Sequence, residues 1–95
     1  MEKMEEYRQK LEAQLKEWKV RIEQLEDKAV KATGETRDEL LKAVDELRQK
    51  KGVVKDKLNE LQKESGAVWE QMKERVDTAA SELKSALERV ISRFK

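Results

Sequence analysis

The sequence predicts an all-α protein, an elongated antiparallel helical bundle or coiled coil of three helices of about thirty residues each. Three observations lead there. An apolar residue recurs every three or four positions from Met4 to Val90, which is the spacing of one helix face. Proline is absent and charged residues make up 45% of the 95-residue chain, a composition typical of long helices. Two of the three glycines, Gly34 and Gly66, cut the chain into near-equal thirds, giving a single domain over residues 1–95 with helices at approximately 2–33, 36–64 and 67–94.

The first helix carries the stripe Met4, Tyr7, Leu11, Leu15, Trp18, Ile22, Leu25, Ala29 and Ala32. Its end is marked by Thr33-Gly34, because glycine takes the left-handed conformation that closes a helix. Lys28 and Lys31 precede it, where a helix C-terminus favours positive charge. The second helix opens with Thr36 and Glu39, spaced as a capping box. It continues through Leu40, Ala43, Leu47, Val54, Leu58 and Leu61. Glu64-Ser65-Gly66 is the second stop, with Ser65 as the candidate cap of a third helix. That helix carries Val68, Met72, Val76, Ala79, Leu83, Ala86 and Val90.

Adjacent apolar pairs widen the later faces, at Leu40-Leu41, Ala43-Val44, Val53-Val54 and Ala86-Leu87. A bundle helix needs such width, whereas a two-stranded seam does not. One pattern favours a different topology. The stripe keeps its phase across Gly34 and Gly66, as if the helix were continuous there. The alternative is a long two-helix hairpin that turns near Gly52 and dimerises. At about 1.5 Å per residue, three helices give a body roughly 50 Å long and the hairpin roughly 70 Å.

Charge excludes some functions. The net charge is +1, from 22 basic and 21 acidic residues. The balance is also local: residues 1–33 carry eight of each sign, and so do residues 34–66. A nucleic-acid binder usually shows a lopsided basic field, so nucleic acid is not an expected partner. Many charges pair acid before base at four-residue spacing, such as Glu12 and Lys16 or Glu17 and Arg21, an order that supports a solvated helix. No apolar run approaches the roughly 18 residues of a membrane span. The N-terminus, Met1-Glu2-Lys3-Met4, lacks a signal core, which makes the cytoplasm the expected location.

The chain has no histidine and no cysteine. That removes the commonest general base and the commonest thiol nucleophile. The isolated glycines form no phosphate-cradling loop, and the inward positions are Leu, Ala, Val and Trp rather than paired metal-binding Glu and His. No catalytic residue, metal ligand or cofactor is therefore expected. Candidate packing and interaction residues are Trp18, Trp69, Met72 and Phe94. A candidate weak anion patch comprises Arg48, Lys50, Lys51, Lys55 and Lys57, opposed in sequence only by Asp56. No aromatic interleaves it to stack on bases. Trp18 would lie level with Gly52, whose missing side chain would leave room for the indole. Residues 67–94 form an amphipathic segment with Trp69 and Phe94 near its ends, a layout that suits an interfacial helix. Its polar face is charge-balanced, so packing within the bundle is the first reading and a lipid surface the alternative.

The stretches Tyr7, Leu11, Ala13-Gln14-Leu15, Glu17-Trp18, Ile22, Leu25 and Lys28-Ala29 form a pattern. With Lys57-Leu58-Asn59-Glu60-Leu61, Ser65-Gly66-Ala67-Val68-Trp69-Glu70 and Ser92-Arg93-Phe94-Lys95, it resembles a family of small bacterial coiled-coil proteins. That family is described as stress-response proteins of the kind first named in cyanobacteria. The chain departs from it at Leu40, where relatives often carry an aromatic, and at Ala79-Ala80, where Ala-Trp is common. The resemblance implies a cytoplasmic, non-enzymatic protein tied to stress and supplies no ligand. The expected function is protein–protein contact, with a helical partner or a second copy of the chain.

Overall fold

A computed structural model describes residues 2–63 and 68–94. Three helices account for nearly all of them: α1 over Glu2–Lys31, α2 over Gly34–Lys63 and α3 over Trp69–Arg93. The principal extents are 51 × 19 × 17 Å, the length expected of three stacked helices and not of a hairpin folded at mid-chain. α2 runs through Gly52 without a break, so the two-helix alternative does not apply.

The first turn is short. Ala32 N–H donates to the carbonyls of Lys28 and Ala29, both at 3.1 Å, which closes α1. Gly34 then reverses the chain with φ 63°, the only positive φ among the described residues. That value lies in the left-handed region, which is costly for residues with a Cβ. α2 starts at Gly34 itself, two residues before the expected start, so Thr36 sits inside the first turn and not at its cap. The Glu39 carboxylate instead accepts a hydrogen bond from Arg93 Nη2 at 2.9 Å. The expected stop at Glu64-Ser65-Gly66 and the Ser65 cap lie outside the described residues. α3 starts at Trp69, preceded by Val68, which gives no side-chain cap; at its far end Phe94 N–H donates to Val90 O.

The core is apolar throughout, with no buried polar or charged residue among the described ones. α1 contributes Leu11, Leu15, Trp18, Ile22, Leu25 and Ala29, a strict alternation of four- and three-residue steps. α2 contributes Leu40, Val44, Leu47, Val54, Leu58 and Leu61, and α3 contributes Met72, Val76, Ala79, Leu83 and Leu87. Two positions in the expected stripe are displaced by their neighbours. Val44 is buried where Ala43 was expected, and Leu87 where Ala86 was, with both alanines half-buried. The larger side chain of each pair takes the deeper site, as area burial favours. The apolar pairs do not all widen the core, because Leu41 and Val53 are exposed beside buried Leu40 and Val54.

α2 is the central helix. It packs extensively against both α1 and α3, whereas α1 and α3 meet far less. Contacts between α1 and α3 keep a constant sequence offset: Tyr7 reaches Lys73 and Lys28 reaches Phe94. Those two helices therefore run parallel, each antiparallel to α2.

Candidate functional site

Two places bring functional side-chain chemistry together, and they lie in different grooves. The first is the seam between α1 and α3. At one end the Tyr7 hydroxyl donates to the Asp77 carboxylate and approaches Lys73 O at 3.4 Å. The Tyr7 ring meets Trp69 edge to face, with centroids 5.4 Å apart and planes at 82°, a favoured aromatic geometry. Lys73 Nζ stands 5.6 Å from the same ring centroid. Burial pushes the Tyr7 hydroxyl well above the usual phenol range, and the hydrogen bond to Asp77 and that residue's charge push it further. At the other end, Lys28 Nζ donates to Phe94 O at 2.6 Å.

Between these clips the seam is open. One cleft, about 290 Å³, is lined by Gln14, Glu17, Trp18, Arg21, Lys84, Leu87 and Glu88. A second, about 320 Å³, is lined by Tyr7, Lys10, Leu11, Gln14, Lys73, Asp77 and Ala80. Both reach core side chains. The four expected packing residues all adjoin this core. Trp18 and Met72 are buried, and Trp69 and Phe94 are partly buried against the cluster. Room for the Trp18 indole does not come from Gly52, contrary to expectation. A Cβ built on Gly52 meets nothing within 4 Å, so the glycine faces open space.

That open space is the second place, a cleft of about 230 Å³ between α1 and α2. Its lining is Lys19, Ile22, Glu23, Arg48, Lys51, Gly52 and Lys55. The expected anion patch is thus divided. Arg48, Lys51 and Lys55 converge here, Lys50 is exposed outside the cleft, and Lys57 lines a groove between α2 and α3 with Gln71, Glu74 and Arg75. Asp56 is not the opposing acid. Arg48 Nη1 pairs with Glu26 Oε2 at 2.8 Å, and this bond holds the Glu26 carboxyl below its usual range. Sequence reasoning missed Lys19 and Glu23, which come from α1 across the hairpin. The one signal for Lys19 was its neighbour Trp18, which the antiparallel register places level with Gly52. Burial lowers the Lys51 ammonium below the usual lysine range, and Lys19 and Lys55 lower it further.

Among the described residues no group of His, Cys, Asp or Glu is arranged to hold a metal ion, and no helix is long and apolar enough to cross a membrane. The apolar residues of α3 that an interfacial helix would offer to lipid, including Met72, Val76, Leu83 and Leu87, are engaged in the core. Compared with protein-family models, curated proteins and solved structures, the chain matches none. The fold is an all-α three-helix bundle in which α1 and α3 make the sparsest contacts among the described residues.

Proposed function

We propose that this chain is a non-enzymatic helical interaction protein that associates through the α1–α3 seam, first with a second copy of itself and otherwise with another helical protein. The observation that carries the reading is the seam. Clefts descend there to Leu11, Trp18 and Leu87, while α1 and α3 touch sparingly. The two-residue joint supports it. Ala29 and Leu40 are consecutive large steps of the core, eleven residues apart, close to three helical turns. If Gly34 left its turn conformation, α1 and α2 would form one helix whose apolar face keeps its phase across the joint, interrupted at Thr33 and Thr36. Such a helix can exchange α1 with a second copy at little cost, since short hinge turns favour swapping.

The resemblance to small bacterial stress-response coiled coils agrees with this reading and adds a setting, that of a cytoplasmic protein tied to stress. The test is sedimentation equilibrium across a wide concentration range, with Trp18 emission followed in Trp69→Phe. The reading expects a dimer at high concentration, with a change in Trp18 emission where the seam is covered and none where α1 is exchanged into an equivalent core. A monomer with constant emission throughout would remove self-association.

A further inference from the structure

Two departures from helix-bundle design coincide in the α1–α2 cleft. The buried α2 positions Leu40, Val44, Leu47, Val54, Leu58 and Leu61 alternate by four and three, except for one missing step. That step falls on Lys51. The residue there is a half-buried lysine in the register of the core. Its neighbour Gly52 stands in the middle of a thirty-residue helix, although a Cβ at that place would meet nothing within 4 Å. An alanine would fit and would favour the helix. Packing explains neither residue. Sequences break local rules mostly where a site requires it.

The surroundings say what the site would take. Lys19, Arg48, Lys51 and Lys55 converge on the cleft, with Glu23 as the one carboxylate of its lining. Arg48 is already paired with Glu26. Among the described residues, neither Lys19, Lys51 nor Lys55 has a carboxylate within ion-pair distance. The cleft holds three ammonium groups against the single carboxylate of Glu23, around a space that glycine keeps empty, with an apolar wall at Ile22. Convergent cations in a recess focus the potential on a small anion, and ammonium groups bind phosphate as point charges.

We propose that this cleft is a binding site for a multiply charged phosphate group, either a free oligophosphate or a phosphate-bearing lipid headgroup. Lys51 would contact the anion from the floor, Lys19 and Lys55 from the sides, and Gly52 would admit it.

Backbone amide NMR of the full chain tests this with inorganic pyrophosphate at about 10 mM ionic strength, where screening is weak inside roughly 30 Å. Saturable shifts centred on Lys19, Lys51, Gly52 and Lys55 are expected. Lys51→Gln removes one charge-assisted contact and should weaken binding about tenfold or more. Gly52→Leu should fill the cleft and abolish the shifts, while Lys50→Gln, outside the cleft, should weaken binding much less than Lys51→Gln, through its long-range charge alone. The spectra themselves report whether each variant is folded. Flotation with vesicles containing phosphatidic acid separates the two sources. Vesicle retention lost in Lys51→Gln, without pyrophosphate binding, would assign the site to a headgroup. Shifts spread evenly over Lys50, Lys57 and the cleft, equal affinity in Lys51→Gln, or no saturable binding to either probe would overturn the proposal.

Discussion

The two interfaces of α2 and the seam between α1 and α3 are held by different forces. Around α2 the contacts are mainly apolar, running from Leu40 to Leu61 with one break at Lys51. Between α1 and α3 they are sparse and directional: a tyrosine hydroxyl on a carboxylate, an edge-to-face aromatic pair and a lysine on a terminal carbonyl. Burial of apolar area is strong but indifferent to orientation. Hydrogen bonds contribute less and fix geometry. α2 therefore supplies most of the stability, while Tyr7 and Lys28 set the register of α1 against α3.

The sharpest way to break this contrast is Leu47→Ala. Leu47 is 1% exposed on α2, and truncating a buried leucine costs about 2–5 kcal/mol. Urea unfolding followed by circular dichroism should show a loss of that size. A loss below about 1 kcal/mol would mean that α2 is not the energetic centre, since it would fall under the range for buried leucines.

Gly34→Ala comes next. Space is no obstacle, as nothing lies within 4 Å of a Cβ there, but φ is +63°. The left-handed conformation costs an L-residue about 1–2 kcal/mol. The monomer should lose that much, and the dimer of the proposed swap should gain population, because alanine favours a continuous helix. Sedimentation of the variant against the parent reads both effects. A less stable variant that stays monomeric would separate the turn's energetics from any swap.

What the sequence disclosed follows the same division. Non-directional packing writes itself into periodicity, so the three helices, the Gly34 turn and the burial of Trp18 and Met72 were all readable. Register between helices does not. Arg48, Lys51 and Lys55 could be grouped because they share one helix, yet Lys19, Glu23 and Glu26 join them only across the hairpin. Lys50 and Lys57 look equivalent to Lys51 in the sequence and are turned elsewhere by the 3.6-residue repeat. The contact of Tyr7 with Asp77, seventy residues on, left no local trace at all.

Tyr7→Phe probes the directional seam alone. It keeps the ring beside Trp69 and removes the hydroxyl that Asp77 accepts from. A loss of about 0.5–1.5 kcal/mol is expected, smaller than for Leu47→Ala. The pH dependence adds a signature. Tyr7 is the only tyrosine, and its folded pKa lies above the ordinary phenol value, first through burial and then through Asp77. The folded state then holds the proton more tightly than the unfolded state. The stabilisation is complete below about pH 10, the unfolded phenol pKa, and is lost as the pH rises beyond it. Phenolate absorbance should therefore appear later than in a tyrosine peptide, and Tyr7→Phe should remove part of the alkaline decline in stability. Ordinary titration near pH 10 would show that the hydroxyl is free and the clip absent.

Gly52→Ala is the smallest change and tests the α1–α2 interface at the point where it departs from its own pattern. A glycine inside a helix costs about 0.5–1 kcal/mol relative to alanine, and the new methyl would meet no heavy atom within 4 Å. The variant should gain that much stability in urea unfolding. A gain means that the parent chain keeps a glycine against its own stability, as a use for the cleft beside Lys51 requires. No gain, or a loss, would mean that the glycine relieves strain in α2 itself, and the opening between Lys19 and Lys55 would then be a by-product of helix geometry.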